Sequence, residues 1–273
     1  MQIPRTAIIL AFEPEWQALI PHIDHARTRS EGEVTYVTGR LGGKPVVVTM
    51  SGISMVNAAM HTQRLIDRYK ISHIVFSGIA GGIDPSLHIG DIVVAERWSQ
   101  PMETLAARQT ADGYKAPGWL WGMSTKPNYG IFFPRQVRIN ETDYDAFPAD
   151  PALLGIAREV AATTPLRDRS AAAGKLDHAP QIVVGGEGVS AASFIDNAEY
   201  RDYLYTAFHA RVTDMETAAV AQVAYANHVP FIAFRAVSDL AGGDNDSNQM
   251  QTFMTVASEN SADVVIAFVK ALP

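Results

Sequence analysis

Two acidic residues stand where a late pair of apolar runs end. One is Glu216, in Val212-Thr213-Asp214-Met215-Glu216-Thr217-Ala218-Ala219-Val220. The other is Asp239, in Pro230-Phe231-Ile232-Ala233-Phe234-Arg235-Ala236-Val237-Ser238-Asp239. An acid opening an Ala-rich helix is ordinary. A second acid just past the next apolar strand puts two carboxylates at neighbouring strand ends. In an open α/β sheet, that edge is where ligands bind. One carboxylate can hold a sugar diol while the other protonates a leaving base, and this points to chemistry on a nucleoside. Glu15 lies one short turn past the first apolar run and could deprotonate a water.

Each residue also has a plainer reading. Glu15 can be a helix-start carboxylate that favours the dipole. Glu216 can be a solvated first-turn residue, and Asp239 can cap the turn Leu240-Ala241-Gly242-Gly243. Met215 fills gaps as readily as it packs on a sugar. Asp214 reads as a helix cap. Arg235 on a buried strand requires an acidic partner.

The elements that would position these groups read as an alternation of strands and helices. Apolar runs at Thr6 to Phe12, Val34 to Thr38, Pro45 to Met50, Ile74 to Ser77 and Gln181 to Val184 read as strands. Helices are expected at about 56–69, 151–163, 197–208 and 251–271. In the last, Phe253, Val256, Val264, Ala267 and Phe268 fall near one face. Strands alternating with helices imply βαβ units and a largely parallel sheet. The expected fold is a single α/β domain over 1–273, with a mixed, mostly parallel central sheet flanked by helices. Residues 98–150 break the rhythm, with Trp98, Trp119, Trp121, Tyr114 and Tyr129 among several Pro and Gly. They read as an irregular excursion over the sheet edge. Ser77-Gly78-Ile79-Ala80-Gly81-Gly82 reads as a tight turn that lets backbone N–H groups approach a ligand.

Composition narrows the class. The formal net charge of -7 disfavours a non-specific nucleic-acid binder. With no cysteine, disulfides, Cys-ligated zinc and thiol catalysis are excluded, and a reducing compartment fits. The run Ala7 to Phe12 is too short for a secretory signal core, and no stretch is long enough to span a membrane. A cytoplasmic protein without nucleic-acid or membrane partners is expected. The histidines show no His-x-x-x-His spacing, so no metal is expected. Gly-x-Ser-x-Gly, Gly-x-Gly-x-x-Gly and Gly-Lys-Ser/Thr motifs do not occur.

Taken together, the segments resemble the nucleoside phosphorylase/nucleosidase superfamily, which includes purine nucleoside and uridine phosphorylases. The nearest branch is similar to methylthioadenosine/S-adenosylhomocysteine nucleosidase. The matching pieces are Ala11-Phe12-Glu13-Pro14-Glu15, Ser51-Gly52-Ile53 with Asn57-Ala58-Ala59, Ser77 to Gly82, Gly90-Asp91-Ile92-Val93-Val94, Asp214 to Ala219 and Arg235 to Asp239. They occur in family order. Val189 to Asn197 and Leu240 to Gly243 are also similar to plant nucleosidase-like storage proteins, a binding class of another kind.

The resemblance implies a role for each residue. Glu15 would activate water, and Asp239 would protonate the purine at its imidazole nitrogen, with Ser238 positioning it. Glu216 would bind the ribose and Met215 would pack on it. Phe194 would stack on the base and the backbone of Ile195 would read its edge. Ala80 and Gly81 would form the pocket floor, and Ile79 would stand near the ribose or the water. Phe12, Ile53 and Met250 would lie near the 5′-substituent, and Arg235 belongs to the same constellation. The partner is a small nucleoside, no cofactor is implied, and the assembly is a dimer or a hexamer of dimers.

Phosphorylases of the superfamily carry arginines after the first strand and before the glycine segment. Here those places hold Glu13 and Glu15, and His73-Ile74-Val75-Phe76. A carboxylate suits water and repels phosphate, so hydrolysis is favoured. Phosphorolysis would need an arginine from elsewhere, such as Arg108, Arg135 or Arg138. Ile79 departs from the small polar residue of bacterial nucleosidases, and the excursion is longer than theirs.

Overall fold

The computed structural model of the chain describes residues 3–170, 174–244 and 247–273. A twelve-stranded mixed sheet forms its centre. Strand β1 (Arg5–Leu10) lies parallel to both β4 (Lys44–Met50) and β5 (Ile71–Gly82). Beyond β4, β3 (Val34–Leu41) and β2 (Asp24–Glu31) continue the sheet antiparallel to its edge.

Beyond β6 (Ile92–Val94) and β7 (Arg97–Ser99), the excursion is more ordered than its sequence suggests. Strand β8 (Thr104–Ala106) pairs with β11 (Phe132–Pro134), β9 (Arg108–Thr110) with β10 (Gly113–Lys115), and β12 (Val137–Ile139) with β13 (Thr142–Tyr144). Its two ends belong to the main sheet: β14 (Phe147–Pro148) pairs with β7. Trp98 is fully buried on β7, with its ring against Gly188, where an added Cβ would come within 2.6 Å of it. The expected irregular excursion is thus corrected at its ends, because Trp98 and Phe147 are core residues.

A small ribbon, β15 (Arg169–Ser170) with β16 (Gly174–Lys175), precedes β17 (Ile182–Val184), which pairs with β6. Strand β18 (Glu187–Ser190) runs parallel to β7 and to β19 (Ala210–Asp214). Strand β20 (Phe231–Asp239) runs parallel to β5 along most of its length.

Period-two alternation assigns the two faces of the sheet. Ile8 and Leu10 of β1 point into one core, with Leu19 of α1 (Glu13–Leu19), Leu153 of α3 (Pro151–Ala161) and Phe268 of α6 (Met250–Ala271). Ala7 and Ile9 point into the other, with Leu65 of α2 (Met55–Arg68) and Val220 of α5 (Thr217–Ala226). Burying each large aliphatic is worth roughly 1.5–3 kcal/mol. That magnitude fixes which face each helix covers. A smaller cluster joins Ile195 to Leu204 and Phe208 of α4 (Ala198–Phe208).

The expected turn at Ser77 to Gly82 is corrected: these residues finish β5. Gly78, Gly81 and Gly82 are absent from the left-handed region. They are glycine because of what lies against them. A Cβ on Gly78 would fall 2.1 Å from Arg235 Nη1 and 2.3 Å from Glu15 Oε1.

Candidate active site

The site gathers where several strands end. Leaving β1, the chain enters α1 with Pro14 in its first turn, a position that tolerates the missing N–H. This places Glu15 over the end of the sheet, nearly fully buried. Its Oε2 accepts the Ala11 N–H at 2.6 Å and the Phe12 N–H at 3.3 Å, and its Oε1 accepts the Ile79 N–H at 3.0 Å.

Arg235, midway along β20, is fully buried and sits over the Phe76 ring at 4.0 Å. Its Nε lies 2.7 Å from Asp214 Oδ2 and donates to Thr217 Oγ1 at 2.8 Å. Its other nitrogens lie 3.8 Å from Glu15 Oε1 and 3.6 Å from Glu216 Oε2. One guanidinium therefore faces three buried carboxylates. Asp214 also accepts the Glu216 and Thr217 N–H groups at 3.1 Å each, holding the start of α5 as the sequence suggested.

Glu216 accepts the Ser54 N–H at 2.9 Å. Ser54, the residue before α2, has φ 91°, an uncommon conformation for a serine. Burial pushes the Glu216 carboxyl up to about 7; Asp214 adds to the shift and Arg235 opposes it. Burial also raises Glu15, against the opposing charge of Arg235 and the backbone N–H bonds. Burial, with the neighbouring negative charge at Glu216, thus favours the protonated carboxyls, and the shared cation opposes it.

Asp239 ends β20 and is almost wholly buried. Its Oδ1 accepts the Ala241 N–H at 2.9 Å and the Asn248 side-chain amide at 3.1 Å. Ser238 donates its hydroxyl to Oδ2 at 2.9 Å and also lies 3.4 Å from the Ala80 carbonyl oxygen. Burial raises the Asp239 carboxyl, and these hydrogen bonds temper the shift.

A cavity of about 170 Å³ opens between these groups. Glu15, Glu216, Met215, Asp239 and Ser238 line it, as do Phe12, Ile53, Ile79, Ala80, Gly81, Phe194, Ile195 and Met250. Arg235 does not line it. Fully buried behind the carboxylates, it can act on a ligand only through them. Ala11, Ser193 and Thr213 also line the cavity without having been expected there, as does Asp214, which the sequence marks only as a helix cap. Thr213 and Asp214 are consecutive at the end of β19, so strand alternation, which turns neighbouring side chains to opposite faces, could not have assigned both to the cavity. The roles of Ser54 and Asn248 were not legible either, since each meets its carboxylate from a loop.

Among the described residues, no lysine or arginine lines the cavity. Of the excursion arginines, Arg138 is held by Asp143 at 2.7 Å, and both Arg135 and Arg138 lie over the Trp121 ring. Outside the cavity, His88 and His178 each bring a ring nitrogen 3.9 Å from an Asp91 oxygen. Their rings stack at 4.1 Å, and the nearest ligand atoms of His88, Asp91 and His178 all lie within 4.8 Å of one another, a spacing that could hold a metal ion. Among the described residues, no helix is long and apolar enough to cross a membrane.

A family model described as the Phosphorylase superfamily matches residues 5–270, and the chain belongs to that superfamily. Within it, the chain is similar to proteins of a narrower kind. It is 31% identical over 266 residues to the 5'-methylthioadenosine/S-adenosylhomocysteine nucleosidase of Staphylococcus saprophyticus, covering 97% of this chain and 99% of that one. The nucleosidase of Tolumonas auensis is 29% identical over 269 residues, covering 98% and 100%. The crystal structure of the Neisseria meningitidis nucleosidase in complex with methylthio-immucillin-A matches with a TM-score of 0.75 at 26% identity, covering 99% of this chain and 100% of that one.

Proposed function

We propose that this chain is an N-ribosyl hydrolase that cleaves the glycosidic bond of a purine nucleoside, with methylthioadenosine or S-adenosylhomocysteine as the leading substrates. The observation that carries this reading is a cavity lined by Glu15, Glu216 and Asp239 with no cation on its wall among the described residues. Phosphate needs a positive or N–H-rich cradle, and the buried cation nearest the cavity, Arg235, is committed to carboxylates. Water needs a base. The similarity to the nucleosidases supports the same conclusion.

The proposed chemistry uses each group where it stands. Asp239, raised by burial, carries a proton that it passes to the imidazole ring of the base, and the glycosidic electrons leave with that base. Ser238, placed between Asp239 Oδ2 and the Ala80 carbonyl, can turn its hydroxyl between them as the proton moves. The sugar gains oxocarbenium character, which the nearby carboxylates favour electrostatically. Glu216 accepts hydrogen bonds from the ribose diol. Glu15 takes a proton from water, whose oxygen bonds to the anomeric carbon. The products are the free base and the free sugar.

The same reading extends to a homodimer or a hexamer of dimers, and to a cytoplasmic location. Ile53 lines the cavity yet is half-exposed, and Val56 and Met60 beside it are exposed too. A second copy would cover that rim, and a sequence without cysteine suits a reducing compartment.

Base release from methylthioadenosine, adenosine and inosine, followed for the parent and for Glu15→Gln and Asp239→Asn, tests the reading. Release by the parent and a loss of about 100-fold or more in each variant is expected. A Glu15→Gln protein that turns over like the parent would sink the mechanism.

A further inference from the structure

A second, larger cavity of about 560 Å³ adjoins the first. The two share the wall Ser193, Phe194 and Ile195. The excursion supplies Met102, Thr104, Tyr129 and Phe132, and α4 supplies Tyr200 and Tyr203. The three tyrosines form one aromatic cluster, with centroids 5.0 Å apart from Tyr129 to each of the others and 5.6 Å between Tyr200 and Tyr203. Tyr203 gives its hydroxyl to the Pro127 carbonyl at 2.8 Å, so its ring, not its polar tip, is offered to a ligand. Burial pushes the Tyr200 and Tyr203 hydroxyls up to about 12, so both stay neutral at physiological pH.

The annex lies at the Asp239 end of the site. Asp196, on its wall, accepts the Asn248 amide at 3.2 Å, and the same amide nitrogen donates to Asp239 at 3.1 Å. The Asn197 N–H donates to the Ala241 carbonyl at 3.2 Å, which fixes this wall against the loop that follows Asp239. Glu216, in contrast, is tied to Ser54 by its backbone N–H. A group reaching the annex must therefore project from the part of the ligand that Asp239 protonates. Phe194, 51% exposed, stands on the wall that the two cavities share.

We propose that the annex is a specificity subsite for a bulky apolar or aromatic substituent on the base, so that the substrates include purine nucleosides bearing such an exocyclic group. This rests on the hydrolytic reading of the neighbouring cavity. Aromatic walls bind such a group by area burial and offset stacking, with little polar selection.

The test compares 5′-methylthioadenosine with its N6-benzyl derivative as substrates, and adenine with N6-benzyladenine as free ligands by calorimetry. It uses the parent protein and the annex-filling variants Thr104→Trp and Met102→Trp. In the parent, N6-benzyladenine should bind about tenfold or more tighter than adenine, with a matching fall in KM for the benzyl nucleoside. Each filling variant should abolish that preference and leave turnover of the unsubstituted nucleoside within about twofold, which also reports that it has folded. The inference is overturned if the unsubstituted nucleoside is cleaved while the benzyl compounds neither bind tighter nor react. It is equally overturned if filling leaves the preference intact. If neither nucleoside is cleaved, the hydrolytic reading fails, and the two free bases still decide the annex by their relative affinity.

Discussion

Arg235 stands 2.7 Å from Asp214, and that contact orients the remaining guanidinium nitrogens toward Glu15 and Glu216. The cation holds together three carboxylates from two strand ends, Glu15 beyond β1 and Asp214 with Glu216 at the end of β19. Replacing it with methionine leaves buried negative charge uncompensated. Such losses cost about 3–5 kcal/mol. Urea unfolding of Arg235→Met should show a loss of that size. Because Arg235 opposes the rise of Glu15, the acidic limb of kcat/KM should also move to higher pH in any folded fraction.

Glu216 makes stability depend on pH in a defined direction. Its folded carboxyl is raised from 4.5 to about 7, so the folded state binds the proton more tightly than the unfolded chain. Its stabilising contribution is full below pH 4.5 and is lost as pH rises toward 7. The linked loss is on the order of 3 kcal/mol. Denaturation midpoints measured across that range should fall less steeply in Glu216→Gln than in the parent. An unchanged slope would contradict the raised carboxyl.

Asn248 tunes the acid. Its amide donates to Asp239 Oδ1 and thereby favours the ionised form. Asn248→Ala should raise the Asp239 carboxyl further, so the basic limb of the pH–rate profile should shift to higher pH. A merely structural role would lower kcat without moving that limb.

Gly78 has room only for hydrogen. Gly78→Ala should disrupt the Arg235–Glu15 contact, since the new methyl would overlap both side chains. A cost of roughly 1–3 kcal/mol is expected from such overpacking. Base release should fall more than stability does, as measured by parallel melts and single-turnover assays.

Much of this fold is legible in the sequence because its apolar runs are long. Strands β1, β4 and β20 and helix α6 follow the expected spans closely. Strand β2 is not legible: Asp-His-Ala-Arg-Thr-Arg-Ser-Glu is exposed along nearly its whole length and has no apolar alternation to betray it. The glycines at 78–82 mislead in another way, because glycine marks close approach as well as turning. The need of Arg235 for an acid is legible from its strand. The identity of its partners is not, since Glu15 and the Asp214–Glu216 pair are brought to Arg235 only by the sheet. The annex could not be foreseen either, because it joins Met102 to Tyr203 across a hundred residues of chain.

The most direct test is base release from methylthioadenosine by the phosphate-free protein, with the sugar product identified by mass spectrometry before and after phosphate is added. A cavity walled by Glu15 and Asp239 without a cation predicts release at the same rate in both cases, giving free methylthioribose. Release that appears only with phosphate, giving the sugar 1-phosphate, would contradict it.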